Sequence, residues 1–130
     1  FIEPVAGGLF VGDERGVWFL PGNEPEQFRL SKASDAVAVR RSSVVVNGTH
    51  FNKDLTQTDM DVVVWLSTEG YMMGKPSGDI LSLHPERIRV AAGLEGRSRF
   101  VIRDGIKQII TLVAATNGQT YGLAIDTILQ

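Results

Sequence analysis

Apolar residues in this chain fall in short runs, not at helical spacing. The runs cover residues 9–11, 17–20, 36–39, 44–46, 62–66, 71–73, 80–83, 100–102, 109–113 and 121–125. They are rich in Val, Ile and aromatic residues and are bounded by Gly, Pro, Asn, Asp or Ser. That is the pattern of many short antiparallel strands. Only residues 85–92 suit a helix, and one of two turns at most. The expected fold class is all-β.

The runs also repeat. At an offset of 62, IEPVAGGLFVGDERGVWFL (2–20) lies over VWLSTEGYMMGKPSGDILS (64–82), placing Gly8 on Gly70, Gly12 on Gly74 and Gly16 on Gly78. After small drifts, EPEQFRL (24–30) meets HPERIRV (84–90), and AVAVRRSSVVV (36–46) meets RFVIRDGIKQII (99–110). In the second copy the strands are expected at 62–67, 70–74, 79–83, 99–103 and 107–114. Four or five antiparallel strands in about sixty residues describe one blade of a β-propeller. The six matched glycines are turn residues in this reading: Gly70 and Gly74 bracket a strand, and Gly78 sits where a hairpin needs positive φ.

The expected organisation is a first blade-like repeat over 1–60, incomplete at its start, a second over 61–116, and the start of a further repeat or a closing strand over 117–130. Closed propellers take about four to eight blades, and about two four-stranded ones are accounted for here. The chain therefore reads as part of a larger ring, cut from a longer propeller or completed by copies of itself. The alternative without a ring is a β-sandwich of two packed sheets.

Composition narrows the chemistry. The 130 residues are 43% hydrophobic and 22% charged, as in ordinary globular domains, and the net charge of −2 supplies no basic field for nucleic acid. Arg97, Arg99, Arg103 and Lys107 are interrupted by Glu95 and Asp104, which suits a solvated strand face. Cysteine is absent, removing disulfides, thiolate zinc sites and cysteine nucleophiles together. No apolar run approaches the ~18–20 residues of a membrane span, and no signal peptide is visible.

The chemical motifs resolve into structural ones. Gly12 with Gly16, and Gly74 with Gly78, lack the spacing and the following helix of a phosphate loop. Asp54, Asp59 and Asp61 in NKDLTQTDMD lack the bend glycine and closing glutamate of a calcium loop, and read as a partner-contact loop. His50 and His84 are the only histidines, too few for a zinc site, and no GxSxG elbow accompanies them. Asn47-Gly48-Thr49 matches a glycosylation sequon but is also a strong turn signal. Trp18, Trp65, Tyr71 and Tyr121 would stack on sugars only if they faced outward together, and Trp65 inside VVVWLS suits packing between blades. No enzyme activity, catalytic residue, cofactor or metal is expected.

The segment VVVWLSTEGYMMGKPSGDILSLHPERI, followed by GRSRFVIRDGIKQIITLV, resembles repeats in structural proteins of tailed bacteriophages. The likeness rests on the Trp-Leu-Ser strand, the glycine set at Gly70, Gly74 and Gly78, and the Arg-bearing strand ending in a hydrophobic hairpin partner. The first copy departs from it, with Glu3 and Pro4 where Trp65 and Leu66 stand in the second. The resemblance implies propeller-like modules of a tail hub, nozzle or tail-tip adaptor, acting through other virion subunits or copies of the chain. It implies residence in the virion tail after a soluble stage in the host cytoplasm. The alternatives are a module binding a host-surface glycan or receptor and, less supported, a hydrolase on a propeller scaffold.

Overall fold

The computed structural model describes residues 1–22, 31–52, 59–83, 90–91, 94–115 and 117–128. They form three antiparallel meanders. The first sheet runs β1 (Ile2–Val5), β2 (Gly8–Asp13), β3 (Gly16–Pro21) and β4 (Ser31–Ser34) in that order. The second runs β5 (Val44–Asn47), β6 (Asp61–Ser67), β7 (Gly70–Gly74) and β8 (Ile80–Ser82). The third has β10 (Ile106–Ala114) between β9 (Glu95–Arg103) and β11 (Thr120–Asp126). A 3-10 turn at Gly48–His50 follows β5. The chain is all-β, and none of the sheets closes into a barrel. Among the described residues no helix is long and apolar enough to cross a membrane. The expected helical turns at 85–92, and the match of 24–30 with 84–90, fall largely outside the described residues.

The second sheet is the middle layer. Its strand β6 is buried on both faces: Val62, Val63, Val64, Trp65 and Leu66 are all at 0% exposure. Alternation along β6 divides them. Val63 and Trp65 pack with Phe10, Val17 and Phe19 of the first sheet. Val62, Val64 and Leu66 pack with Ile109, Val113 and Ile125 of the third. A strand covered on both sides reads as an unbroken apolar run, which is why VVVWL shows no polar alternation. Each such side chain contributes about 1.5–3 kcal/mol relative to exposure.

The glycine repeat has a geometric counterpart. Val5 pairs with Gly8 in the β1–β2 hairpin, as Ser67 pairs with Gly70 in β6–β7, and Ile2 pairs with Val11 as Val64 pairs with Met73. Gly8 (φ 157) and Gly70 (φ 110) both need a backbone that side chains rarely adopt. The next turn differs by one residue. Asp13 pairs directly with Gly16, whereas Lys75 and Asp79 enclose Pro76, Ser77 and Gly78. Gly16 therefore opens a strand, while Gly78 completes a turn.

Two expectations are corrected. The chain forms three sheets, where about two four-stranded blades were expected. Strands assigned to the second unit divide between two sheets, because β9 and β10 pair along nine residues around an Asp104-Gly105 turn with φ of 51° and 79°. Both values are positive, as a two-residue type I′ hairpin turn requires. In turn, β5 lies before residue 60 yet pairs with β6. The match of 36–46 with 99–110 has no such counterpart, since residues 38 and 40 make only isolated bridges, to Ser67 and Glu95.

Packing of the first two sheets departs from that of adjacent propeller blades. Blades related by rotation meet through unlike faces. Here like faces meet: Phe10 and its repeat mate Met72 lie in one cluster, as do Phe1 and Val63. Gly74 is seated against the Phe10 ring, where an added Cβ would lie 2.6 Å from the nearest ring carbon. Any rotation that sets a sheet face against its own equivalent is a two-fold, and a two-fold closes after two sheets. The third sheet lies against the other face of the second.

Candidate interaction surfaces

A tight turn ties the second and third sheets together. Ser42 is fully buried, and its hydroxyl donates to the Leu66 carbonyl (3.1 Å) and accepts from the Leu66 N–H (3.0 Å). Its own N–H donates to the Val39 carbonyl (3.1 Å), closing the turn. Between them Arg41 takes φ 64°, a left-handed conformation uncommon outside glycine. The Arg40 carbonyl accepts from the Gly96 N–H (2.8 Å), and the Arg40 guanidinium lies 3.5 Å from the Glu95 carboxylate. Both side chains of that ion pair are exposed, so it adds little stability.

This turn walls a pocket of about 210 Å³ at one end of the third sheet. Arg41, Glu95 and Arg97 surround an apolar floor of Leu112, Val113 and Ala114. Leu112 and Arg97 are cross-strand partners on the outer face of that sheet, and Leu112 is 63% exposed. A larger groove of about 560 Å³ lies between the end of the first sheet (Phe1, Gly12, Asp13) and residues 37–40.

The outer face of the first sheet is largely apolar, and that of the third sets apolar side chains against arginines. In the first sheet Leu9 opposes Leu20 and Val11 opposes Trp18, while Ile2 stands 67% exposed. The Lys32 ammonium lies 5.4 Å above the Trp18 ring and 2.9 Å from the Asp35 carboxylate. At the rim, the Arg15 backbone N–H holds the Asp13 carboxyl below its ordinary pKa. In the third sheet Ile110 and Leu112 oppose Arg99 and Arg97.

The residues singled out in the sequence separate clearly. Asp54 lies outside the described residues, as does His84. Asp59 and Asp61 are exposed on either side of Met60, itself 49% exposed. The Met60 carbonyl accepts from the Gly48 N–H (2.9 Å), and the Asn47 amide donates to the Asp59 carbonyl. Asn47 also caps the 3-10 turn through Thr49, so NGT is engaged as a turn at both ends of its side chain. His50 packs on Phe100 with ring centroids 4.8 Å apart, and its buried Nδ1 has no partner among the described residues.

The four aromatics share no surface. Trp65 and Tyr71 are fully buried on opposite faces of the middle sheet. Trp18 lies on the outer face of the first sheet and Tyr121 in the third. The Tyr71 hydroxyl donates to Thr111 Oγ1 (2.7 Å), which in turn meets Ser98 Oγ at 2.7 Å. Burial raises the Tyr71 pKa. No group of three His, Asp or Glu side chains among the described residues is placed to hold a metal ion.

No family model, curated protein or solved structure matches this chain. Its surfaces must be read from their own chemistry. Sequence reasoning missed the pocket because Arg41 and Arg97 are 56 positions apart (97 − 41). The alternation of Arg97 and Arg99 about Ser98 does place both arginines on one face. What it lacks is any sign of the Ser42 anchor that brings Arg41 beside them.

Proposed function

We propose that this chain is a non-enzymatic structural module that works by protein–protein contact, as an assembly component. The observation that carries this reading is the contrast between the layers. The central strand β6 is covered on both faces, while the outer face of the first sheet presents the cross-strand apolar pairs Leu9 with Leu20 and Val11 with Trp18, and that of the third leaves Leu112 exposed beside Arg97. Such faces mark sites of association. The resemblance of residues 62–88 and 96–113 to repeats of tailed-phage proteins supports a virion tail as the assembly, with neighbouring subunits or further copies as partners. The burial of Tyr71 and Trp65 removes two of the four aromatics from a sugar-stacking role.

Static light scattering at rising concentration tests this. The unmodified chain is expected to self-associate, and Ile2→Asp or Leu112→Asp, each at an exposed site, to reduce its mass while leaving thermal unfolding nearly unchanged. A chain that stays monomeric would overturn the assembly reading. An oligomer indifferent to both substitutions would remove the outer faces as its basis.

A further inference from the structure

We infer that the pocket beside Arg41 receives the Asp59-Met60-Asp61 knuckle of a second copy, so that copies join head to tail. The inference rests on the assembly reading above and names the contact.

The pocket has a charge excess over an apolar floor. Arg40 is paired with Glu95, while Arg41 and Arg97 have no ion-pair partner among the described residues. With Glu95 in the same wall but paired to Arg40, the two remaining guanidinium groups leave an excess of positive charge beside Leu112 and Ala114. The turn that presents Arg41 is rigid, since Ser42 is bonded to both backbone groups of Leu66 and Val39 closes it behind. A left-handed arginine held by such a turn is an outlier of the kind found at binding sites.

The knuckle has the complementary chemistry: one exposed apolar side chain between two exposed carboxylates. Its backbone is held by the Gly48 N–H on Met60 and the Asn47 amide on Asp59, so little ordering entropy remains to be lost on docking. The pocket, at about 210 Å³, exceeds the ~150 Å³ that admits benzene in an apolar cavity, so an unbranched thioether side chain has room. Guanidinium–carboxylate pairing then fits two carboxylates to two arginines.

A molecule cannot fill its own pocket. The knuckle leads into β6 at Asp61, and the pocket lies beyond the other end, where Leu66 meets Ser42. Six residue steps of strand separate Asp61 from Ser67, on the order of 20 Å. Surfaces at opposite ends of a protomer give a heterologous contact, which propagates into a ring or a filament.

Complementation tests this directly. The variants Asp59→Lys/Asp61→Lys and Arg41→Gln/Arg97→Gln each disable one half of the contact at exposed positions, and a lysine knuckle has no counter-charge in a glutamine pocket. Each alone is expected to lose self-association by more than about tenfold. Mixed, the intact knuckle of one and the intact pocket of the other should form a 1:1 heterodimer that grows no further. Unfolding curves that match the parent chain confirm that neither variant has simply misfolded. If the parent associates and both variants still do so alike, the knuckle-in-pocket contact is wrong while the assembly reading stands. If the parent does not associate at all, the assembly reading fails with it. If both variants dissociate but the mixture forms no heterodimer, the pairing of these two surfaces is wrong.

Discussion

The glycines at Gly12 and Gly74 are conserved in position by the internal repeat, yet they receive different rings. Gly74 is seated against Phe10, which is fully buried between sheets, whereas Gly12 faces Phe1, which is only half-buried. A methyl group at either would lie 2.6 Å from a ring carbon. Phe10 has no room to yield, so Gly74→Ala is expected to cost about 1–3 kcal/mol in urea unfolding, and Gly12→Ala less. Equal costs at both sites would contradict the packing difference.

Tyr71 carries a pH signature. Burial raises its folded pKa above the ordinary 10.0, so the folded state holds the phenol proton more tightly than the unfolded chain. Stability from this group is complete below the unfolded pKa and is lost as pH rises through the folded one. Unfolding free energy should therefore fall on the alkaline side of pH 10.0, and Tyr71→Phe should flatten that fall. At neutral pH the same substitution removes one hydrogen bond, to Thr111, at about 0.5–1.5 kcal/mol.

At the scale of elements, Ser42 is the joint between the middle sheet and the pocket. Ser42→Ala strips the Leu66 N–H of its bonded acceptor inside the protein, at about 1–3 kcal/mol. Because the same turn aims Arg41, this variant is expected to weaken association more than an equally destabilising core change such as Val62→Ala. Matched losses from the two would show that the turn has no positioning role.

Elements were also what the sequence displayed best. Short Val- and Ile-rich runs between turn residues gave the strands, because alternation and β-branching are local. The strands on either side of Asp104-Gly105, expected at 99–103 and 107–114, were legible for the same reason. Sheet membership was not, since β5 and β6 are joined across 13 residues (48–60) and nothing local says which neighbour each edge takes. The meeting of like faces was also hidden, because a repeat in sequence does not specify whether a rotation or a two-fold relates its copies. The pocket was the least legible feature. It depends on Ser42 reaching Leu66, 24 positions away.

At the scale of the whole molecule, three sheets stack with both outer faces open, and a basic pocket and an acidic knuckle stand at opposite ends. Contacts between charged groups at an exposed rim weaken as salt screens them, with a Debye length near 10 Å at about 0.1 M. Association is therefore expected to fall as salt rises if the charged ends dominate it. Strengthening with salt would place the binding energy in the apolar outer face of the first sheet instead.

The most direct test is sedimentation equilibrium of the unmodified chain over a wide concentration range at low salt. A mass rising reversibly above that of one 14.2 kDa copy is expected. A single species of 14.2 kDa at every concentration would contradict the account.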